Sequence, residues 1–194
     1  MKYVKIASVL GAISLFCALI ISLFNLLTSP IIKDNNKAKE EETYKELYSE
    51  YDSKNSKEIE DLKGVSSDII KIMEIHDSND NILGFVYTVE GKNAYGGISL
   101  MVAIEEGPVC KQVAFLSNTE SFRDKVENHV KNNYPQSESD SITISPYGEE
   151  KIEEVSALSQ DDVSSIDVKC GATYGATLVK KLVQSALDDA KGRF

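Results

Sequence analysis

The chain has 194 residues, with 31 acidic and 21 basic side chains, a formal net charge of −10, 42% hydrophobic residues, two histidines and three cysteines. That length suits one globular domain with an accessory segment. The acidic balance gives phosphate backbones no long-range attraction and no local basic patch stands out, which sets nucleic-acid binding aside. Cys17, Cys110, Cys170, His76 and His129 form no CxxC or HExxH pattern, so no dedicated metal site is expected.

Residues 6–27 carry no charge, and only Ser8, Ser14, Ser22 and Asn25 among them are clearly polar. As a helix this run spans about 33 Å at roughly 1.5 Å per residue, which crosses a bilayer. A cleaved signal peptide competes with a retained anchor. The run outlasts the usual apolar region of about 7–15 residues, however, and no A-x-A-like cleavage site follows it. Lys2 and Lys5 precede it, which implies a cytoplasmic tail at 1–5, a transmembrane helix at 6–28 and a chain facing away from the cytoplasm after Pro30. Lys33, Lys37 and Lys39 oppose that orientation weakly. Cys17 falls inside the span and reads as a small apolar residue. All 31 acidic residues and all but two of the 21 basic ones lie beyond residue 30, so anionic lipid would repel the outer part and attachment falls to the helix.

Residues 29–62 read as a juxtamembrane stalk, rich in Lys, Glu, Asp and Asn, in which Tyr44, Leu47, Tyr48 and Tyr51 recur at helical spacing. A disordered charged linker is the alternative. Gly64 marks entry to a folded domain at 63–194. There, residues 70–75 and 82–89 flank the turn-forming run 77–81, and residues 98–104 and 109–116 flank Glu105-Glu106-Gly107-Pro108. These are two hairpins, hence a four-stranded antiparallel meander that needs covering elements. Phe122, Val126 and Val130 share a helical face, residues 141–145 read as a short strand, and residues 178–190 form an amphipathic helix with Val179, Leu182, Val183, Ala186 and Leu187 inward. The fold class is α+β. His76 and His129 have no nucleophile or carboxylate arranged for a triad and are assigned no role.

The segment Asp167-Val168-Lys169-Cys170-Gly171-Ala172-Thr173 stands before the last helix. Gly171 and Ala172 leave the backbone bare, Thr173 offers a hydroxyl, and a helix start presents N–H groups with partial positive charge, which favours a phosphate. A turn followed by a threonine cap fits the same pattern. Paired glycines at Gly96 and Gly97, after Tyr95, suit either a tight loop or the close approach of a ring.

The segment resembles the flavinylation motif Asp-x-x-(Ser/Thr)-Gly-Ala-Thr, in which a flavin transferase using FAD esterifies the final threonine to the phosphate of FMN. Asp167, Gly171, Ala172 and Thr173 match, and Cys170 stands where Ser or Thr is usual. A second Gly-Ala-Thr, at 175–177, has Gly171 rather than Asp six residues before its threonine. The order of elements is similar to that of the extracytoplasmic FMN-binding G subunit of the Rnf electron-transport complex and the C subunit of the sodium-translocating NADH:quinone reductase. Ala94-Tyr95-Gly96-Gly97-Ile98 resembles the family's Gly-Tyr-Gly-Gly-x-Ile stretch. Asn118-Thr119-Glu120-Ser121 resembles its Thr-Glu-Thr-Pro-Gly stretch, with Phe122-Arg123-Asp124 replacing Pro-Gly-Leu-Gly.

The resemblance implies FMN covalently held on Thr173, with Asp167 recognised by the transferase, Cys170, Gly171 and Ala172 beside the phosphate, and Tyr95, Gly96 and Gly97 near the flavin. It implies an electron-transfer subunit with no catalytic side chain or metal of its own, partnered by other membrane subunits of an ion-translocating oxidoreductase. A flavin-bearing extracellular electron carrier or reductase outside such a complex, and a flavin-free anchored binding or assembly protein, are the alternatives. Cys110 and Cys170 would lie where disulfides are permitted, yet both are expected to stay reduced, because Cys170 takes the motif's Ser/Thr position.

The orientation is directly testable. Protease added outside intact spheroplasts should digest residues 31–194 and leave the N-terminal segment uncleaved in the membrane. Digestion that requires lysis would invert the topology.

Overall fold

A computed structural model describes residues 2–136, 142–145, 148–151 and 155–194. Helix α1 (Lys2–Leu47) runs without interruption through Pro30. Its apolar part reaches a mean hydropathy of 2.5 over an 18-residue window that is wholly unburied, so by length and composition it can cross a membrane once. The chain divides into two compact units, residues 1–40 and 41–194, with the division inside α1.

The second unit is α+β. Strands β1 (Lys57–Glu58), β2 (Ile69–His76), β3 (Ile82–Asn93), β4 (Gly96–Glu105) and β5 (Val109–Asn118) form one antiparallel sheet in chain order. The expected four-stranded meander is β2 to β5, and β1 adds an edge. Alternation along the strands sends side chains to opposite faces. Phe85, Tyr87, Val89, Leu100, Val102 and Ile104 enter one apolar cluster, whereas Val86, Met101 and Ala103 enter the other. Both faces are covered over their middle, which is why β3 is buried continuously from residue 84 to 89.

Helices α2 (Arg123–Asn133), α3 (Gln160–Ser165) and α4 (Thr173–Ala190) cover the first face. Val179, Leu182, Val183, Ala186 and Leu187 of α4 are fully buried there with Val126 and Val130 of α2. At the far end of α4, Asp189 accepts hydrogen bonds from the Tyr87 hydroxyl at 3.1 Å and from Arg193 Nε at 2.5 Å, tying the last turn to β3. Helix α3 is too short for a periodic signal and is fixed locally, by a reciprocal capping box between Ser159 and Asp162.

The last turn of α1 covers the second face. Tyr44, Leu47 and Tyr48 are buried against Met73, Ile75, Val86, Met101 and Ala103, and the Tyr48 hydroxyl donates to the Ile104 carbonyl at 3.1 Å. The tyrosine stripe is therefore part of the domain core, not the face of a free stalk. Phe122 also departs from expectation: it precedes α2 as its N-cap and is 45% exposed, so only Val126 and Val130 of that triplet face inward. The expected strand at 141–145 appears as β6 (Ile142–Ser145), paired with β7 (Gly148–Lys151). Residue 141 lies outside the described residues.

A buried histidine held between two carboxylates makes the fold sensitive to pH. His76, 4% exposed, places Nε2 at 2.6 Å from Glu74 Oε1 and Nδ1 at 2.9 Å from Asp80 Oδ1. Burial opposes its charge, but the hydrogen bonds to Glu74 and Asp80 outweigh burial and raise its pKa. The imidazolium therefore stabilises the fold fully below the unfolded value of about 6.5, and this contribution disappears as pH rises through the higher folded value. The detergent-solubilised chain should lose more thermal stability between about pH 6 and pH 8.5 than His76→Gln does. Parallel pH profiles would contradict the assignment.

Candidate functional site

Three segments converge on the start of α4. In the first, the Asp167 side chain accepts the Lys169 N–H at 3.0 Å and the Val168 carbonyl accepts the Cys170 N–H at 3.0 Å, so the chain turns before Gly171. Gly171 has φ +72°, a left-handed conformation that glycine adopts without strain. Helix α4 then opens at Thr173, with Ala172 at the N-cap position, no side-chain cap and no acidic residue in the first turn. A helix start of this kind presents N–H groups without intrahelical partners and carries partial positive charge. Thr173 is exposed, and no hydrogen bond engages its hydroxyl among the described residues.

The second segment is the β3–β4 turn. Asn93 Oδ1 accepts the Tyr95 N–H at 2.7 Å, which bends the chain and sets the Tyr95 ring beside α4. The Tyr95 carbonyl accepts from the N–H and hydroxyl of Ser121, both at 3.1 Å. The Gly97 N–H donates to Thr119 Oγ1 at 2.9 Å, and the Gly97 carbonyl accepts the Thr119 N–H at 2.9 Å. The turn is thereby laced to the third segment, residues 118–122.

That third segment carries Glu120, which is 5% exposed. Asn93 Nδ2 donates to Glu120 Oε1, and the Glu120 N–H donates to Asn118 Oδ1 at 3.1 Å. A side chain on Gly175 would collide with Val126 Cγ2 and stand 3.0 Å from Glu120 Oε1, so the missing Cβ lets α4 seat against this loop. Phe122 completes an aromatic group: its ring centroid is 5.9 Å from that of Tyr95, which is 5.5 Å from that of Tyr174. Lys125 Nζ lies 5.5 Å from the Phe122 ring and 3.6 Å from where a Cβ on Gly171 would stand.

Between these segments opens a cleft of about 250 Å³, with Tyr95, Glu120 and Phe122 on one side and residues 171–175 on the other. Of the residues anticipated from sequence, Tyr95, Gly171, Ala172 and Thr173 line it. Asp167 and Cys170 shape the loop behind it, with Cys170 half-buried against the core. Gly96 and Gly97 hold the turn, and Gly97 lines a separate groove on the sheet with Ile70, Glu90, Lys92 and Ile98. Glu120, Phe122, Tyr174 and Gly175 were not assigned to the site from sequence. Tyr174 and Gly175 adjoin the motif and could have been read with it, whereas Glu120 and Phe122 belong to the 118–124 stretch, which the resemblance singled out without giving it a contact.

The residues present suit a phosphorylated aromatic group. An accessible hydroxyl begins an uncapped helix, a lysine stands at the glycine rim and three rings border the cleft. No cluster able to hold a metal ion occurs among the described residues. His129 is buried on α2; its desolvation lowers its pKa, and the Asp167 charge opposes this. No protein-family model matches the chain, and no curated protein matches it.

The two thiols differ in environment. Cys110 is fully buried, which pushes its pKa up to about 12, and Cys170 is partly accessible; neither is bridged. Alkylation of the native protein without reductant should label Cys170 and leave Cys110 untouched until denaturation. A cross-linked pair of peptides in the mass spectrum would contradict this.

Proposed function

We propose that the chain is a membrane-anchored electron-transfer flavoprotein that carries FMN as a phosphoester on Thr173. In this reading α1 is a retained single span, the domain faces away from the cytoplasm, and the protein serves an Rnf-type ion-translocating oxidoreductase beside other membrane subunits. The observation that carries the reading is the position of Thr173. Its hydroxyl is unengaged at the first residue of an 18-residue helix without a side-chain cap, and it lines a cleft bordered by Tyr95, Phe122 and Tyr174.

Maturation on this account is a phosphoryl transfer. Thr173 Oγ1 bonds to the FMN phosphorus of FAD held by a flavin transferase, the pyrophosphate P–O bond breaks, AMP leaves with that electron pair, and the hydroxyl proton passes to solvent. Asp167 contributes by fixing the loop the transferase must read, since its carboxylate holds the Lys169 N–H. The α4 N–H groups and Lys125 offset the negative charge of the ester. Bound FMN supplies one-electron transfer, while the protein determines its exposure and potential. Tyr95, Phe122 and Tyr174 are 42%, 45% and 66% exposed, so the cleft is open to a redox partner at its aromatic edge.

The second Gly-Ala-Thr supplies the control. Thr177 lies one turn inside α4, about 6 Å further along at roughly 1.5 Å per residue, beyond the uncapped N–H groups. After co-expression with a flavin transferase, intact mass should show the flavin adduct on wild type and on Thr177→Ala, none on Thr173→Ala, and a reduced fraction on Asp167→Ala. Loss on Thr177→Ala with retention on Thr173→Ala would move the site. A wild-type chain without an adduct would favour a flavin-free anchored binding protein.

A further inference from the structure

Glu120 is a buried carboxylate in the wall of the cleft, and the attachment of a flavin makes no use of it. It is 5% exposed, and no lysine, arginine or histidine pairs with it among the described residues. Its contacts are the Asn93 amide, which donates to Oε1, and the first turn of α4 at Gly175. As a mere tie between the β3–β4 turn and α4, the charge is superfluous: a neutral amide could accept the same hydrogen bond without the cost of burying an ion. Among the described residues lining the cleft, the other ionisable side chains are the phenols of Tyr95 and Tyr174. Lys125 stands at the rim on the Gly171 side.

We propose that Glu120 sets the potential of the redox group in this cleft and holds it low. The inference rests on the flavin reading above. A group that gains an electron beside a fixed, water-excluded negative charge is disfavoured in its reduced form, because like charges interact more strongly where water does not screen them. Asn93 and the positive end of α4 keep the carboxylate in place and partly offset its own desolvation. Glu120 thus acts as a positioning and tuning residue, supplying a charge without exchanging protons or bonds with the flavin. Removing that charge while keeping the shape of the side chain should raise the ratio of reduced to oxidised group at a fixed external potential by on the order of tenfold.

The test uses the full chain, flavinylated in the cell and purified in detergent, in three forms: wild type, Glu120→Gln and Asn93→Ala. Intact mass reports loading, thermal melting reports folding, and a spectroelectrochemical titration at one pH reports the midpoint potential. Glu120→Gln should fold, load and titrate at a more positive potential. Asn93→Ala removes the hydrogen bond but keeps the charge, so its potential should not move in the positive direction. A Glu120→Gln protein that unfolds, fails to load or keeps the wild-type potential overturns the inference in favour of a structural tie, as does an Asn93→Ala protein that shifts like Glu120→Gln. A wild-type chain that carries no flavin overturns the proposed function itself, and the inference with it.

Discussion

Helix α4 seats where it does because Gly175 has no side chain. A single methyl group there would strike Val126 of α2 and press on Glu120, lifting the helix start off the loop that forms the other wall of the cleft. Beyond that contact, the helix is held by its apolar stripe on the sheet. Val179, Leu182, Val183 and Leu187 are each fully buried, and such side chains contribute roughly 1.5–3 kcal/mol apiece. The Tyr87–Asp189–Arg193 cluster fixes the other end. Burial over four turns thus sets the direction of the helix, and the one missing Cβ sets how far its first turn reaches.

The site occupies the end of this helix that local stability would fill differently. A capping Ser, Thr or Asp at position 172 would stabilise the helix by about 1 kcal/mol, but Ala172 stands there and leaves the first N–H groups without a side-chain partner. Glu120 is buried without a cation among the described residues. Both features, the uncapped helix start and the buried carboxylate, work against the folded state, and they coincide in one cleft. The fold tolerates this because the sheet is covered on both faces, by α4 on one and by the tyrosine turn of α1 on the other.

The strands were legible because their alternation is local, and each boundary is marked by Gly, Asn or Asp. The helical spacing of Tyr44, Leu47 and Tyr48 was equally legible, but its partner was not: spacing shows that a face is apolar, and only tertiary packing shows that the sheet covers it. β1 is two charged residues long and follows from pairing with β2, which no pattern within it could announce. At the site, the Gly171–Thr173 half could be read in a single stretch of chain. The other half, Glu120 and Phe122, arrives from about fifty residues earlier through the packing of α2 on α4; the family-like stretch at 118–124 was visible, but its departure at Phe122-Arg123-Asp124 left its contact with the Thr173 side open until the packing brought the two together. Phe122 misled for a related reason, since it holds the helical period but stands at the cap, where the chain has not yet begun to turn inward.

Whether Thr173 carries the flavin is decided by tandem mass spectrometry of a protease digest of the wild-type protein, purified after co-expression with a flavin transferase, which assigns the adduct to a residue. An FMN phosphoester on Thr173 is expected, with Thr177 in the same peptide unmodified. A fragment series that places the adduct on Thr177, or a peptide recovered wholly unmodified, would contradict it.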